Sequence, residues 1–149
     1  DGAARMGGAS GNAVLSRTAN DLAKLMQLYL NEGRYGGEQL IPITAVREFT
    51  RVQYPQDDNR RGLGFDKPLL EYRADNSYVA RSASPESFGH SGYTGTFAWA
   101  DPQEDLLLVF FSNRVYPTRD NRKLYTLNIR PRLHQACYDA IEEGRAGGR

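Results

Sequence analysis

The chain has 149 residues, 40% of them hydrophobic, which fits one modest globular unit with a buried core. Its 19 basic and 18 acidic residues leave a formal charge of +1, and this excludes electrostatic recruitment to nucleic acid or to an anionic membrane as an organising function. No apolar run reaches membrane-spanning length, no signal-like segment is present, and the single Cys137 has no partner for an internal disulfide. The sequence opens at Asp1 in mid-pattern, so the expectation is a fragment of something longer, for which a missing targeting segment carries no weight.

Residues 1–17 are rich in glycine and small side chains, the composition of a flexible leader. Thr18, with Asp21 three residues on, predicts a helix start with an acidic capping box. Leu22, Leu25, Met26 and Tyr29 then follow helical spacing, Leu28 and Leu30 widen the stripe, and Gly33 is expected as the C′ glycine. A turn over 34–37 leads to a second helix from Pro42 to about Arg51, with Ile43, Val46 and Phe49 or Thr50 inward. The polar run 56–61 is a loop. Gly62-Leu63-Gly64-Phe65 is expected to begin the sheet region, and 71–87 reads as an irregular strand or excursion.

The most informative stretch is Phe88-Gly89-His90-Ser91-Gly92-Tyr93-Thr94-Gly95-Thr96. Glycine at every third position lets a backbone approach a ligand closely or leaves amide N–H groups unobstructed. His90 and Ser91 add a titratable donor and a hydroxyl. Spacing alone slightly favours a glycine-rich strand entrance with a hydrogen-bonded histidine and nothing bound, because lone histidines are usually structural. Beyond it, Phe97-Ala98-Trp99-Ala100 reads as a strand and Asp101-Pro102-Gln103-Glu104-Asp105 as a turn. Leu106 to Ser112 reads as a strand buried on both faces. Arg114, at that strand's end, fits either a surface ion pair or a bidentate hold on a substrate carboxylate. Residues 118–123 are a loop, and Pro131 opens a terminal helix with Leu133, Ala136, Cys137, Ala140 and Ile141 as its apolar stripe, ended by Gly144. His134 and Cys137 share a helix face, but two candidates make no metal site. Residues 145–149 are expected to be a disordered tail.

Gly89-His90-Ser91-Gly92-Tyr93-Thr94-Gly95-Thr96, with the Asp-Pro turn, the apolar strand and Asn113-Arg114-Val115-Tyr116-Pro117 behind it, resembles the C-terminal half of the serine β-lactamase-related family. That family groups class C-like β-lactamases, penicillin-binding proteins, peptidases and esterases. Gly7-Gly8-Ala9-Ser10-Gly11-Asn12-Ala13-Val14-Leu15 resembles its glycine-rich loop leading into a helix, and Gly62-Leu63-Gly64-Phe65 its strand before the third motif. Tyr29-Leu30-Asn31 copies the second motif but follows that loop, and is read as a decoy. The resemblance implies an α+β fold, the C-terminal portion of a β-lactamase/transpeptidase-like domain over 1–149: glycine-rich loop 1–17, helices 18–55, sheet region 62–117, loop and terminal helix 118–144.

By the same resemblance, His90-Ser91-Gly92 stands for the third motif, usually Lys-Thr/Ser-Gly. His90 would donate toward the substrate or a catalytic Tyr, Ser91 would hydrogen-bond the substrate, and Gly92 would keep the wall narrow. Tyr93 would give its backbone N–H to an oxyanion hole, and Arg114 is a further substrate-binding candidate. A histidine with an ordinary pKa of about 6.5 is mostly neutral at pH 7, which favours peptidase or ester hydrolysis over β-lactam hydrolysis. None of the eight serines, at positions 10, 16, 77, 82, 84, 87, 91 and 112, has a lysine three residues on. The nucleophile is therefore expected N-terminal to Asp1, and the chain alone is expected to be inactive. The implied partners are the N-terminal part of the same domain and a small peptide, ester or β-lactam. No cofactor and no metal are implied, and the implied compartment is periplasmic or extracytoplasmic. An isolated chain is expected to self-associate through uncovered faces. A non-catalytic binding or structural module of the same fold is the other reading.

Overall fold

Local signals set the first helix. In the computed structural model, which describes residues 18–148, α1 spans Ala19–Leu30. The Thr18 hydroxyl accepts the Asp21 N–H at 3.2 Å while the Asp21 carboxylate accepts the Thr18 N–H at 3.3 Å, the expected capping box. The helix closes one residue earlier than its glycine suggests. Glu32 takes the left-handed C′ position (φ 52°) and donates to the Tyr29 carbonyl, and the Gly33 N–H reaches the Leu28 carbonyl at 2.8 Å. Gly33 is required for a different reason: a Cβ there would lie 2.1 Å from the Ile41 carbonyl oxygen.

The expected turn over 34–37 is the tip of a small hairpin, β1 (Arg34–Tyr35) and β2 (Glu38–Gln39), with Gly36 and Gly37 both at positive φ. Helix α2 covers Ile43–Thr50 with Pro42 as its N-cap rather than its first helical residue. Only Val46 of α2 is buried; Ile43 (37% exposed) and Phe49 (45%) face outward among the described residues. So short a helix buries one side chain, and at its surface Arg47 pairs with Glu32 at 2.7 Å. Gly62–Phe65 is not a strand. Gly64 at φ 80° and a Gly62 N–H to Phe65 carbonyl bond fold it into a bend; Phe65 packs on Phe88 of the sheet with ring centres 5.1 Å apart, and the backbone pairs with the sheet at Asp66.

The main sheet has three antiparallel strands in the order β3 (Phe88–Ser91), β4 (Phe97–Asp101) and β5 (Leu106–Phe110). Side chains alternate across it. Phe88, Ala98 and Ala100 pack on Met26 and Leu30 of α1, while Phe97 and Trp99 pack on Val79 from the irregular segment and on the aromatic face of a C-terminal helix. The strand buried throughout is β4, not the more apolar β5, which is half-buried along its length. Position explains this: β4 has a strand on either side and cover on both faces, whereas β5 takes an edge among the described residues. The excursion over 71–87 is irregular as expected, but it brings Val79 into the core.

After the short α3 (Lys123–Thr126), helix α4 runs over Ile129–Gly147. It begins two residues before Pro131 and passes through Gly144. Arg145, expected in a disordered tail, forms an ion pair with Glu104 at 2.8 Å. Its buried face is not the apolar stripe. Arg130, His134 and Tyr138 are buried at a spacing of four, while Leu133, Ala136 and Ala140 are exposed and Cys137 is half-buried. Each buried side chain has a long-range partner. The Tyr138 hydroxyl donates to Asp101 Oδ2 at 2.6 Å, the Ala80 N–H donates to His134 Nδ1 at 3.2 Å, and Arg130 holds the turn after β3. Aromatic packing adds to this, with the His134 ring 5.4 Å from Phe97 and 6.3 Å from Trp99.

His134 is fully buried and neutral, its pKa held down to about 4 by burial, with the Asp101 charge pulling the other way. The unfolded chain takes up this proton near the ordinary value of 6.5, so below it the unfolded state binds more protons than the folded one. Stability is therefore complete above that value and is expected to fall by up to about 3 kcal/mol as the pH drops toward 4. Denaturant midpoints taken across that range should fall more steeply for the native protein than for His134→Gln. Equal slopes would show that His134 does not carry the effect.

A candidate active-site edge on strand β3

The three glycines around the predicted motif are imposed by close packing. A Cβ on Gly89 would sit 2.1 Å from the Ala98 carbonyl oxygen and 2.4 Å from Trp99 Cε3, and one on Gly92 would sit 2.2 Å from the Thr96 hydroxyl. Gly95 has φ 107°, which disfavours any side chain, and a Cβ there would lie 2.2 Å from the Ser112 hydroxyl. The result is a strand end and turn packed too closely for side chains at these three positions.

Backbone direction along that edge alternates. The Gly89 N–H and carbonyl both pair with Asp66, at 3.0 and 2.7 Å, so they point away from β4. His90, opposite Ala98, pairs inward, and Ser91 turns outward again. Gly92 points inward, its N–H donating to the Thr96 carbonyl at 2.8 Å. A turn over 92–95 follows, closed by the Gly95 N–H on the Gly92 carbonyl at 3.0 Å. Two arginines brace it. Arg130 Nη2 donates to the Gly92 carbonyl at 3.0 Å and Nε to that of Gly95 at 3.3 Å. Arg114 Nε donates to the Tyr93 carbonyl at 2.8 Å, and the Arg114 backbone N–H to that of Thr94 at 2.8 Å. The Tyr93 N–H points opposite to the Gly92 carbonyl within their shared peptide plane and has no acceptor among the described residues.

Ser91, Gly92 and Tyr93 line one groove of about 390 Å³, together with Tyr78, Tyr125 and Arg130. His90 is not in it. It projects from the opposite face of β3, exposed, with its Nδ1–H donating to the Ser91 carbonyl at 3.0 Å. Because a carbonyl only accepts, that bond needs the proton on Nδ1, which leaves Nε2 to accept when the ring is neutral and to donate when it is protonated. Arg114 stands beside the groove. Its guanidinium carbon is 4.5 Å from the Tyr93 ring centre and 4.9 Å from that of Tyr125, and it also donates to the Tyr125 hydroxyl and the Arg119 carbonyl.

Several site residues escaped the sequence reading. Tyr78 donates a short hydrogen bond to the buried Asp66 carboxylate and accepts one from Arg60 Nη1 at 2.9 Å. Burial and the Asp66 bond raise the Tyr78 pKa far above its ordinary value, so the phenol stays protonated at neutral pH. Arg61 Nη1 lies 2.8 Å from the other Asp66 oxygen, a charge contact without hydrogen-bond alignment. Arg130 and Tyr125 were also missed. No local signal marks any of them, because their partners are distant in sequence. Among the described residues no cluster of three or more His, Cys, Asp or Glu could hold a metal ion.

The profile of the Beta-lactamase family matches residues 1–130. The chain belongs to the Beta-lactamase family. Within it, the chain is 36% identical over 119 residues to a protein of Salmonella enteritidis PT4 named "Putative D-alanyl-D-alanine carboxypeptidase", covering 80% of this chain and 27% of that protein. An Escherichia coli O157:H7 protein of the same name is also 36% identical, over 79% of this chain and 26% of its own length. The chain thus spans about a quarter of the length of the curated relatives it matches. The fold, an antiparallel sheet with helices and a C-terminal helix, matches part of a beta-lactamase (Mb2281c) from Mycobacterium bovis with a TM-score of 0.63 at 24% identity, over 83% of this chain and 44% of that one.

Proposed function

We propose that the chain forms one wall of a serine acyl-transfer site that hydrolyses peptides ending in D-alanine. The observation that carries this is the end of β3 beyond its Asp66 bridge, where the Ser91 backbone faces away from β4, the Tyr93 N–H has no acceptor among the described residues, and both residues line one groove. A serine activated by a neighbouring base attacks the substrate carbonyl, forming the C–O bond as its proton passes to that base. The carbonyl electrons move onto oxygen, and the Tyr93 N–H donates to that oxyanion. Collapse expels the leaving amine, which takes the proton from the base, and water then cleaves the ester by the reverse sequence. A donor in this position contributes roughly 10²–10³ in rate.

No Ser-x-x-Lys occurs in the 149 residues, so the nucleophile is supplied by residues outside them, and these residues alone are inactive. The remainder of the domain is the first partner. The Ser91 hydroxyl binds substrate, Gly92 keeps the edge thin, and His90, with Nε2 free to accept, acts on the rim with Arg114. Esters are the next substrate class, and β-lactams are disfavoured by histidine in place of lysine.

The test is release of D-alanine from a D-alanyl-D-alanine peptide by the full-length gene product. His90→Ala should lower kcat/KM at least tenfold, about 1.4 kcal/mol. Unchanged kinetics would remove His90 from the site. No turnover of peptide or ester by the folded product would favour the non-catalytic binding module.

A further inference from the structure

The Tyr93 N–H belongs to the same peptide unit as the Gly92 carbonyl. In a planar trans peptide the two point in opposite directions, so whatever fixes the carbonyl aims the amide. Two groups hold it: the Gly95 N–H, at 3.0 Å, and the side chain of Arg130, 5% exposed on the first turn of α4. Its Nε and Nη2, adjacent on one edge of the guanidinium, donate to the Gly95 and Gly92 carbonyls at 3.3 and 3.0 Å. Arg130 forms no ion pair with a carboxylate among the described residues; its charge faces these carbonyls and, at 5.5 Å, the Tyr125 ring. Burying a cation without a counter-charge costs several kcal/mol. A packing role needs no such charge. A role in orienting and polarising one peptide does.

We propose that Arg130 is a positioning residue that helps set the Gly92–Tyr93 peptide plane, orienting the Tyr93 N–H at the end of β3 beyond its Asp66 bridge and strengthening it as an oxyanion donor. The inference rests on the reading of Tyr93 as that donor. Charge-assisted bonds are roughly twice as strong as neutral ones, and density drawn from the Gly92 oxygen leaves the N–H of that peptide more positive. Arg114 fixes the next plane through the Tyr93 carbonyl, so both peptides flanking Tyr93 are held. Lysine cannot reproduce the Arg130 contact, because an ammonium is a point donor without the planar fork. Rotation of this one peptide would replace the N–H at the edge with a carbonyl, which repels an oxyanion.

The experiment is difference infrared spectroscopy of the acyl-enzyme formed by the full-length gene product with a slowly hydrolysed, carbonyl-¹³C-labelled ester, in native form, Arg130→Gln and Arg130→Lys, with acylation rates and thermal midpoints measured in parallel. The native acyl carbonyl should absorb at lower frequency than the same ester in water. In Arg130→Gln the band should move back toward the aqueous frequency and kcat should fall by about 10- to 100-fold with KM little changed. Arg130→Lys should lie between, and it decides alone if Arg130→Gln does not fold. A lowered midpoint with the native band position in either variant would make Arg130 merely structural and overturn the inference while leaving Tyr93 in place. A native band at the aqueous frequency, or no acyl-enzyme at all, would overturn the Tyr93 reading and with it the role of Arg130.

Discussion

Asp101→Ala is expected to lower the stability of the protein by about 3–5 kcal/mol. The fully buried carboxylate ends β4 and accepts four hydrogen bonds: from the Ser84 N–H at 2.9 Å, the Ser84 hydroxyl at 2.6 Å, the Gln103 N–H at 3.0 Å and the Tyr138 hydroxyl at 2.6 Å. Three segments meet there: the irregular excursion, the β4–β5 turn and α4. Alanine removes the acceptor and leaves the donors without a partner, and each buried donor so orphaned costs about 1–3 kcal/mol. Asp101→Asn should lose less but remain clearly destabilised, since one amide oxygen cannot receive four donors. Urea titration checks both. A loss under 1 kcal/mol in Asp101→Ala would show that the network is dispensable.

Gly89→Ala carries the second large effect. Its methyl group would meet the backbone oxygen of Ala98 and the ring of the fully buried Trp99. Neither can retreat, because the oxygen belongs to the paired central strand and the ring stacks on Phe97 at 5.7 Å. Overpacking a core costs about 1–3 kcal/mol where side chains can adjust, and a backbone clash puts this substitution at about 3 kcal/mol or more. The strand should be pushed off β4, so acylation by the full-length product should fall together with stability. Native stability in Gly89→Ala would mean that β3 does not lie this close to β4.

What was legible in the sequence was what short-range chemistry decides. The Thr18–Asp21 cap, the stripe of α1, the Asp-Pro turn between two strands and the glycine spacing around His90 each depend on residues within a few positions of one another. Those signals were enough to indicate the family and to find the edge where Ser91, Gly92 and Tyr93 come together. What failed shares one cause. The buried face of α4 is Arg130, His134 and Tyr138, chosen by partners between 35 and 54 residues away in the chain, and no periodicity of apolar residues can reveal it. Lys67 is buried for a similar reason, its ammonium donating to the Glu86 carbonyl at 2.7 Å. Asp101 was readable as a turn former but not as the centre of a buried network. The burial of β4 over β5 follows from strand order, and His90 falls on the far face from Ser91 by the alternation of a strand whose extent was not foreseen.

The most direct test of the central claim is intact-mass spectrometry and peptide mapping of the full-length gene product after reaction with a fluorophosphonate. The account predicts one stoichiometric adduct, on a serine outside these 149 residues that is followed three positions later by lysine. No adduct on the folded protein, or an adduct on any of the eight serines in this chain, would contradict it.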